Sequence, residues 1–365
     1  MKIRLMTFHT PKNYGAVLQA YSLYSYLKTK SDDTKIIDYN TEHLRSLYPL
    51  IPKITSVKVL ANVLLSLHNI LPKKRKYEKF DNFVKNNLEL TKRYSRTSEL
   101  YAEPPEADII FTGSDQVFGP NRIKDERQAF YLDFADKPTV TASYAASFGI
   151  KQIPKEKQAE IKSYLEKLDY ISVRENSGKD IVKSCIGRQV QEVLDPVFLN
   201  DAEFWDKASK PYDIDLKNYI FYYRLMGKKD SDESAIKIAK EQGKKLVVMT
   251  GGRLKFKADK VLRDVGPQEF LSLMSNADYI ITDSFHGVAF SLIFKKQFAF
   301  VDFNEVLQER AMLLMEKVGI SDIGYARGTS FGKELDYEHI KESLDDLILL
   351  SKEYINEVID SVENI

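Results

Sequence analysis

Short, continuous apolar runs alternate along the chain with segments whose apolar residues recur at helical spacing. That alternation predicts strands and helices in turn. Lys2 to Phe8 reads as a strand, Val17 to Leu27 as a helix with Val17, Leu18, Tyr21, Leu23, Tyr24 and Leu27 on its apolar face, and Lys35 to Tyr39 as a second strand. A βαβ opening predicts a doubly wound parallel sheet. The strand pattern returns at Ala107 to Thr112, Val140 to Tyr144 and Tyr170 to Val173. A second set follows at Tyr219 to Tyr223, Lys245 to Thr250, Tyr279 to Thr282 and Phe298 to Phe303, with helices at Glu233 to Glu241, Pro267 to Ser275 and Leu307 to Val318. Tyr337 to Val358 closes the pattern as one or two amphipathic helices. At 365 residues the chain suits two α/β domains. The expected division is residues 1–180, with an inserted helical segment near 47–90, then 181–335, then C-terminal helices over 336–365, the main boundary falling within 175–200.

Ile54 to Leu71 breaks this rhythm. It is apolar but contains Lys58, Asn62, His68 and Asn69, and Lys73-Lys74-Arg75-Lys76 follows it. The stretch is too short and too polar to span a bilayer. Two readings stay open: a helix capping the sheet, or an amphipathic basic segment in peripheral contact with the inner membrane surface.

Lys plus Arg number 54 and Asp plus Glu 53, for a net charge of +1, so the general basic field that nucleic-acid binding needs is absent. An anionic substrate must then be met by local cations. The single cysteine, Cys185, excludes an intramolecular disulfide and a cysteine-based zinc site. The N-terminal MKIRLMTFHT has no apolar signal core, and the expected compartment is the cytoplasm.

Candidate chemistry sits where predicted strands end. Ala277 to Phe294 reads as strand, polar turn and helix, which places Asp283, Ser284 and His286 at the carboxyl end of a strand beside the first N–H groups of a helix. An imidazole, a hydroxyl and backbone donors together make a site for phosphate. Asp283 is either a helix cap or a catalytic group. Gly15 stands at another strand-to-helix turn, which is either an ordinary turn or a point of close backbone approach. Gly113-Ser114-Asp115-Gln116, Ser147 and Arg174-Glu175 follow three further strands. Arg174 is either a self-paired surface arginine or the holder of a planar anion. Gly251-Gly252-Arg253 is either a plain turn or a phosphate cradle, and Arg310 is a further cation. The five histidines, His9, His43, His68, His286 and His339, show no metal-ligand spacing.

The chain resembles the polysaccharide pyruvyl transferase family. The resemblance rests on Asn13-Tyr14-Gly15-Ala16-Val17-Leu18-Gln19, Gly113-Ser114-Asp115-Gln116, Tyr144-Ala145-Ala146-Ser147-Phe148-Gly149, Ser172-Val173-Arg174-Glu175, Asp195-Pro196 and Thr282-Asp283-Ser284-Phe285-His286-Gly287, in that order over nearly the whole chain. Phe118 departs from it, at a position where members of the family often carry Trp, and an altered acceptor stacking would be the expected effect. The resemblance implies two Rossmann-like domains facing a cleft, as in GT-B glycosyltransferases, the first on the acceptor side and the second on the donor side. It implies transfer of the pyruvyl group of phosphoenolpyruvate, a co-substrate and not a cofactor, onto two hydroxyls of a sugar in capsule or exopolysaccharide biosynthesis. Arg174 and His286 would hold the donor, with Ser284, Phe285 and Gly287 around it and Arg310 and Arg253 as further anion contacts. Asp115 is the expected base, His286 the acid or the partner of the leaving phosphate, and Asn13, Gly15, Gln19, Ser114, Gln116 and Ser147 line the acceptor side. The acceptor is a sugar or a lipid-linked oligosaccharide. The competing readings are a sugar-nucleotide-dependent GT-B glycosyltransferase and a catalytically silent sugar- or anion-binding protein.

Overall fold

The computed structural model describes the chain except residues 52–54, 57–68, 121–126, 214–216, 302–304, 322–333 and 364–365, and the side chains of 127 and 305–309. Two compact units emerge. The first comprises Met1–Tyr48, Val84–Asn200 and Asp346–Ile365, and the second Pro49–Phe83 and Asp201–Asp345.

Unit 1 is built on β1 (Lys2–Met6), β2 (Asp33–Tyr39), β3 (Leu90–Tyr94), β4 (Ile109–Thr112), β5 (Val140–Ala146), β6 (Tyr170–Val173) and β7 (Gln191–Glu192). They form a seven-stranded sheet in the order β3-β2-β1-β4-β5-β6-β7, and the pairs are parallel. A parallel sheet is covered on both faces, so its central strands are apolar on both sides. Met6 and Ile110 pack into one core, while Ile3, Leu5, Ile109 and Phe111 pack into the other. The order reverses between β1 and β4, and the crevice beyond that reversal is where open α/β sheets place ligands.

The second face of this sheet is closed from far along the chain. Helix Tyr337–Glu363 supplies Tyr354, Ile355, Val358 and Ile359 to that core. The Tyr354 hydroxyl donates to the Ser143 carbonyl at 2.8 Å. Burying each of the three aliphatic side chains contributes about 1.5–3 kcal/mol.

Unit 2 repeats the plan with β8 (Tyr219–Tyr223), β9 (Lys245–Met249), β10 (Lys260–Leu262), β11 (Tyr279–Thr282) and β12 (Phe298–Phe300). The order is β10-β9-β8-β11-β12, again parallel, with the reversal between β8 and β11. The basic start of helix Ile70–Asn87 belongs here because Arg75 pairs with Asp264 at 2.7 Å and Lys79 with Glu269 at 2.7 Å. Arg263 Nε also donates to Asn69 Oδ1 at 3.0 Å.

These units differ from the division read in the sequence. The first extends to Asn200, the far limit of the expected 175–200 window and beyond the nominal 180, the segment near 47–90 is shared between the units, and the final helix is not separate, since it runs through 345–346 from one unit into the other. The physical reason is side-chain pairing at long range, which the ion pairs and Tyr354 just described make visible. Most of Ile54 to Leu71 lies outside the described residues. The cations that follow it are engaged within unit 2: Lys73 donates to the carbonyls of Pro49 and Leu50, Arg75 pairs as above, and Lys76 lies over the Phe80 ring at 5.4 Å. Among the described residues, no helix is long and apolar enough to cross a membrane.

Candidate functional site

In unit 1 the polar residues after β1, β4, β5 and β6 form one hydrogen-bonded group. Asn13 caps helix Tyr14–Lys28 by accepting from the Ala16 N–H at 3.2 Å, and Gly15 is buried in the first turn. Gln19, fully buried, donates to Thr7 Oγ1 at 2.9 Å and accepts from the Ser114 N–H at 3.2 Å, which ties the segments after β1 and β4 together across the reversal. Gly113 has φ +123, and a Cβ there would stand 2.1 Å from the Tyr144 carbonyl oxygen, so only glycine fits. Asp115 follows in the left-handed region at φ 66 and forms an isolated parallel bridge with Ala146. A non-glycine residue there is uncommon, and Asp is among those that tolerate it.

Arg174 is not a surface arginine. Its side chain is 3% exposed and its Nη1 donates to Asp195 Oδ2 at 2.8 Å, with Asp115 at 3.8 Å and Glu175 at 3.7 Å. Burial opposes the guanidinium charge, but Asp195, Glu175 and Asp115 outweigh it and raise its pKa above the ordinary value. Glu175 is held in turn by Ser147, whose hydroxyl donates to it at 2.6 Å and accepts from the Gly149 N–H at 3.1 Å. Ser114 and Ser147 are thus buried scaffold, whereas Asn13, Asp115 and Gln116 keep partial exposure. Phe118 is buried and stacks on Tyr131 at 4.2 Å, a core position that does not support a role in acceptor stacking.

The reversal in unit 2 is organised by Asp283. Its carboxylate, 4% exposed, accepts from the N–H groups of Leu225 (2.6 Å), Met226 (2.8 Å) and Gly227 (3.1 Å), the loop after β8. It is therefore not the cap of the next helix; Ser284 occupies that position and makes no side-chain cap to helix Phe285–Ile293. Burial raises the pKa of the Tyr223 phenol, against the lowering effect of the Ser284 side chain beside it. Gly287 is required by space, since a Cβ would meet Thr282 Oγ1 at 2.0 Å. That absence lets the first helical turn sit directly on the strand end. Phe285 and His286, partly exposed, stand on this turn with their rings edge to face at 5.1 Å. The arrangement can bind an anion through helix-start N–H groups and an imidazole.

Arg224 and Asp232 are functional-site neighbours that the sequence reading missed. Arg224 reaches both Asp232 oxygens, at 2.6 and 2.9 Å, and also Thr250 Oγ1 and the Gly227 carbonyl. A strand-end arginine with an aspartate in the first turn of the next helix was the available signal. Arg253 is exposed in the loop after β9, and Arg310 is half-buried on helix Glu305–Lys317. Among the described residues, no three His, Cys, Asp or Glu side chains gather in a way that could hold a metal ion.

A family model, that of the polysaccharide pyruvyl transferases, matches residues 13–305. The chain belongs to this family. Both clusters just described lie inside the matched span. A comparison with curated proteins gives no match. Among solved structures, the chain is similar to a protein assigned as a UDP-N-acetylglucosamine 2-epimerase from Listeria monocytogenes, at 13% identity and TM-score 0.50, over 97% of this chain and 89% of that one. It is also similar to UDP-N-acetylglucosamine 2-epimerase from Rickettsia bellii, at 12% identity and TM-score 0.49, over 100% and 98%. A third is the wall teichoic acid polymerase TagF, at 12% identity and TM-score 0.48, over 100% and 89%. At such identities the likeness is one of fold: parallel α/β units of the GT-B type.

Proposed function

We propose that this member of the family transfers the pyruvyl group of phosphoenolpyruvate onto two hydroxyls of a sugar, closing a cyclic ketal during cell-surface polysaccharide assembly. The observation that carries the reading is the start of helix Phe285–Ile293, where a strand end braced by Asp283 and a glycine without room for a side chain set His286 and backbone donors together. Such a start suits the phosphate of the donor.

The donor's methylene carbon takes up a proton, giving an oxocarbenium-like C2. A sugar hydroxyl attacks C2 and loses its proton, the C2–O bond to phosphate breaks, and the second hydroxyl attacks C2 and passes its proton to the departing phosphate as the ketal closes. In this reading His286 supplies the proton or neutralises the departing phosphate, and Asp115, a partly exposed carboxylate of unit 1, takes the hydroxyl proton. Well-placed acid–base groups contribute about 10²–10⁴ in rate. Arg253 and Arg310 are secondary anion contacts. The acceptor is a sugar, free or lipid-linked, met in the cytoplasm.

Calorimetric titration with phosphoenolpyruvate, beside UDP and GDP at equal salt, tests the reading. Loss of a hydrogen bond to a charged group costs about 1.5–3 kcal/mol, so His286→Ala should weaken phosphoenolpyruvate binding by about 10- to 100-fold. Arg174→Ala is read in parallel, as the other expected donor contact. Binding of a nucleotide alone would move the protein to the sugar-nucleotide enzymes. Binding of phosphoenolpyruvate by both variants at parental strength would place the donor elsewhere.

A further inference from the structure

A buried histidine in the segment after β1 has no part in the chemistry above. His9 is 1% exposed. Its Nδ1 lies 3.2 Å from the Thr7 carbonyl oxygen and its Nε2 lies 3.2 Å from Asp38 Oδ1, at the end of β2. A carbonyl can only accept a hydrogen bond, and so can an ionised carboxylate. Asp38 is ionised: Arg93, from β3, donates to its other oxygen at 2.9 Å. Burial alone would raise this carboxyl, but His9 and Arg93 outweigh it and hold it below the usual range. Two acceptors facing one ring are both satisfied only when both ring nitrogens carry protons, so His9 fits this place as an imidazolium.

The ring is also the first link of a chain. Thr7, whose carbonyl it grips, accepts through its Oγ1 from Gln19 Nε2 at 2.9 Å, and Gln19 Oε1 accepts from the Ser114 N–H at 3.2 Å. Thr7 is 3% exposed and Gln19 and Ser114 are fully buried, so solvent is not at hand to replace a lost link. The chain ends in the loop that presents Asp115. Among the described residues, the charged groups facing the ring are Asp38 from β2 and, behind it, Arg93 from β3.

We propose that His9 is a positioning residue whose doubly protonated ring sets Thr7, and through Gln19 the Gly113–Gln116 loop, so that the crevice between β1 and β4 loses its working geometry when the ring gives up a proton. The functional part rests on reading Asp115 as the acceptor-side base. A neutral ring can serve only one of its two acceptors, and its lone pair then faces either the Thr7 carbonyl or the Asp38 carboxylate.

The test uses the full chain labelled with ¹⁵N. Long-range histidine correlations report the ring protons of His9, and the Ser114 amide reports the far end of the chain. Two ring protons are expected in the folded parent, with the Ser114 amide shifting in step with the ring when one of them is lost. In Gln19→Met the ring should change as before while the Ser114 amide no longer follows. A ring that never carries two protons in the folded parent overturns the proposal, as does a Ser114 amide that ignores the ring. Neither readout involves donor or acceptor, so this outcome is separable from failure of phosphoenolpyruvate binding.

Discussion

Asp283→Asn separates a structural carboxylate from a catalytic one. Oδ1 serves the Leu225 N–H, and Oδ2 serves those of Met226 and Gly227. An asparagine has one oxygen and one NH₂. In its better orientation it keeps the two bonds at the Oδ2 position as neutral bonds and sets its NH₂ against the Leu225 N–H. At least one charge-assisted bond, of about 1.5–3 kcal/mol, is lost. The remaining two weaken, because hydrogen bonds to ionised groups are about twice as strong as neutral ones. A local destabilisation of about 2 kcal/mol raises loop-opening equilibria by about 30-fold. Amide hydrogen exchange at Leu225, Met226 and Gly227 should accelerate by that factor while β8 and β11 stay protected. Parental exchange at these amides, joined to a collapse of turnover, would refute the reasoning and make Asp283 a proton-transfer group.

Three further outcomes follow from the geometry. Gly287→Ala forces a Cβ against Thr282 Oγ1 and should cost about 2–4 kcal/mol in denaturant unfolding, with loss of phosphoenolpyruvate affinity in the fraction that folds. Asp38, whose folded pKa is depressed, contributes stability that is present above its unfolded value of about 3.9 and is lost as pH falls through the folded one; Asp38→Asn should flatten that acid limb of the melting-temperature profile. Lys76 is pushed down to about 8 by burial and by Lys73, so its charged form opposes folding below the unfolded value of about 10.4; Lys76→Met should raise the melting temperature at pH 7, and the gain should vanish towards pH 10.

The central strands were legible because burial on both faces demands unbroken apolar runs, and Tyr219–Tyr223 and Tyr279–Thr282 are found as read. β3, β7 and β10 were not legible: Leu90–Tyr94 contains Lys92 and Arg93, Gln191–Glu192 is polar, and all three lie at or near a sheet edge, where packing makes weaker demands on sequence. At the site, the pattern gave Asp283, Ser284 and His286 their place at a strand end. It could not give Asp283 its partners, because those are backbone amides fifty-odd positions earlier, brought near only by the pairing of β11 with β8. The sequence left Arg174 open between a self-paired surface arginine and an anion holder for the same reason, since Asp195 reaches it through the fold and not through the local sequence.

The final helix also governs the order in which the protein can be made. Unit 1 begins with β1 at the centre of its sheet, yet the core on one face of that sheet is completed by Tyr354, Ile355, Val358 and Ile359. On a ribosome, these side chains emerge after every strand of both units has been synthesised. The first sheet to be translated therefore waits with part of one apolar face uncovered, a species open to chaperone capture. Neither unit is contiguous in sequence. No single cleavage of the gene yields one whole unit, and dissection of the protein would have to follow the fold and splice its segments.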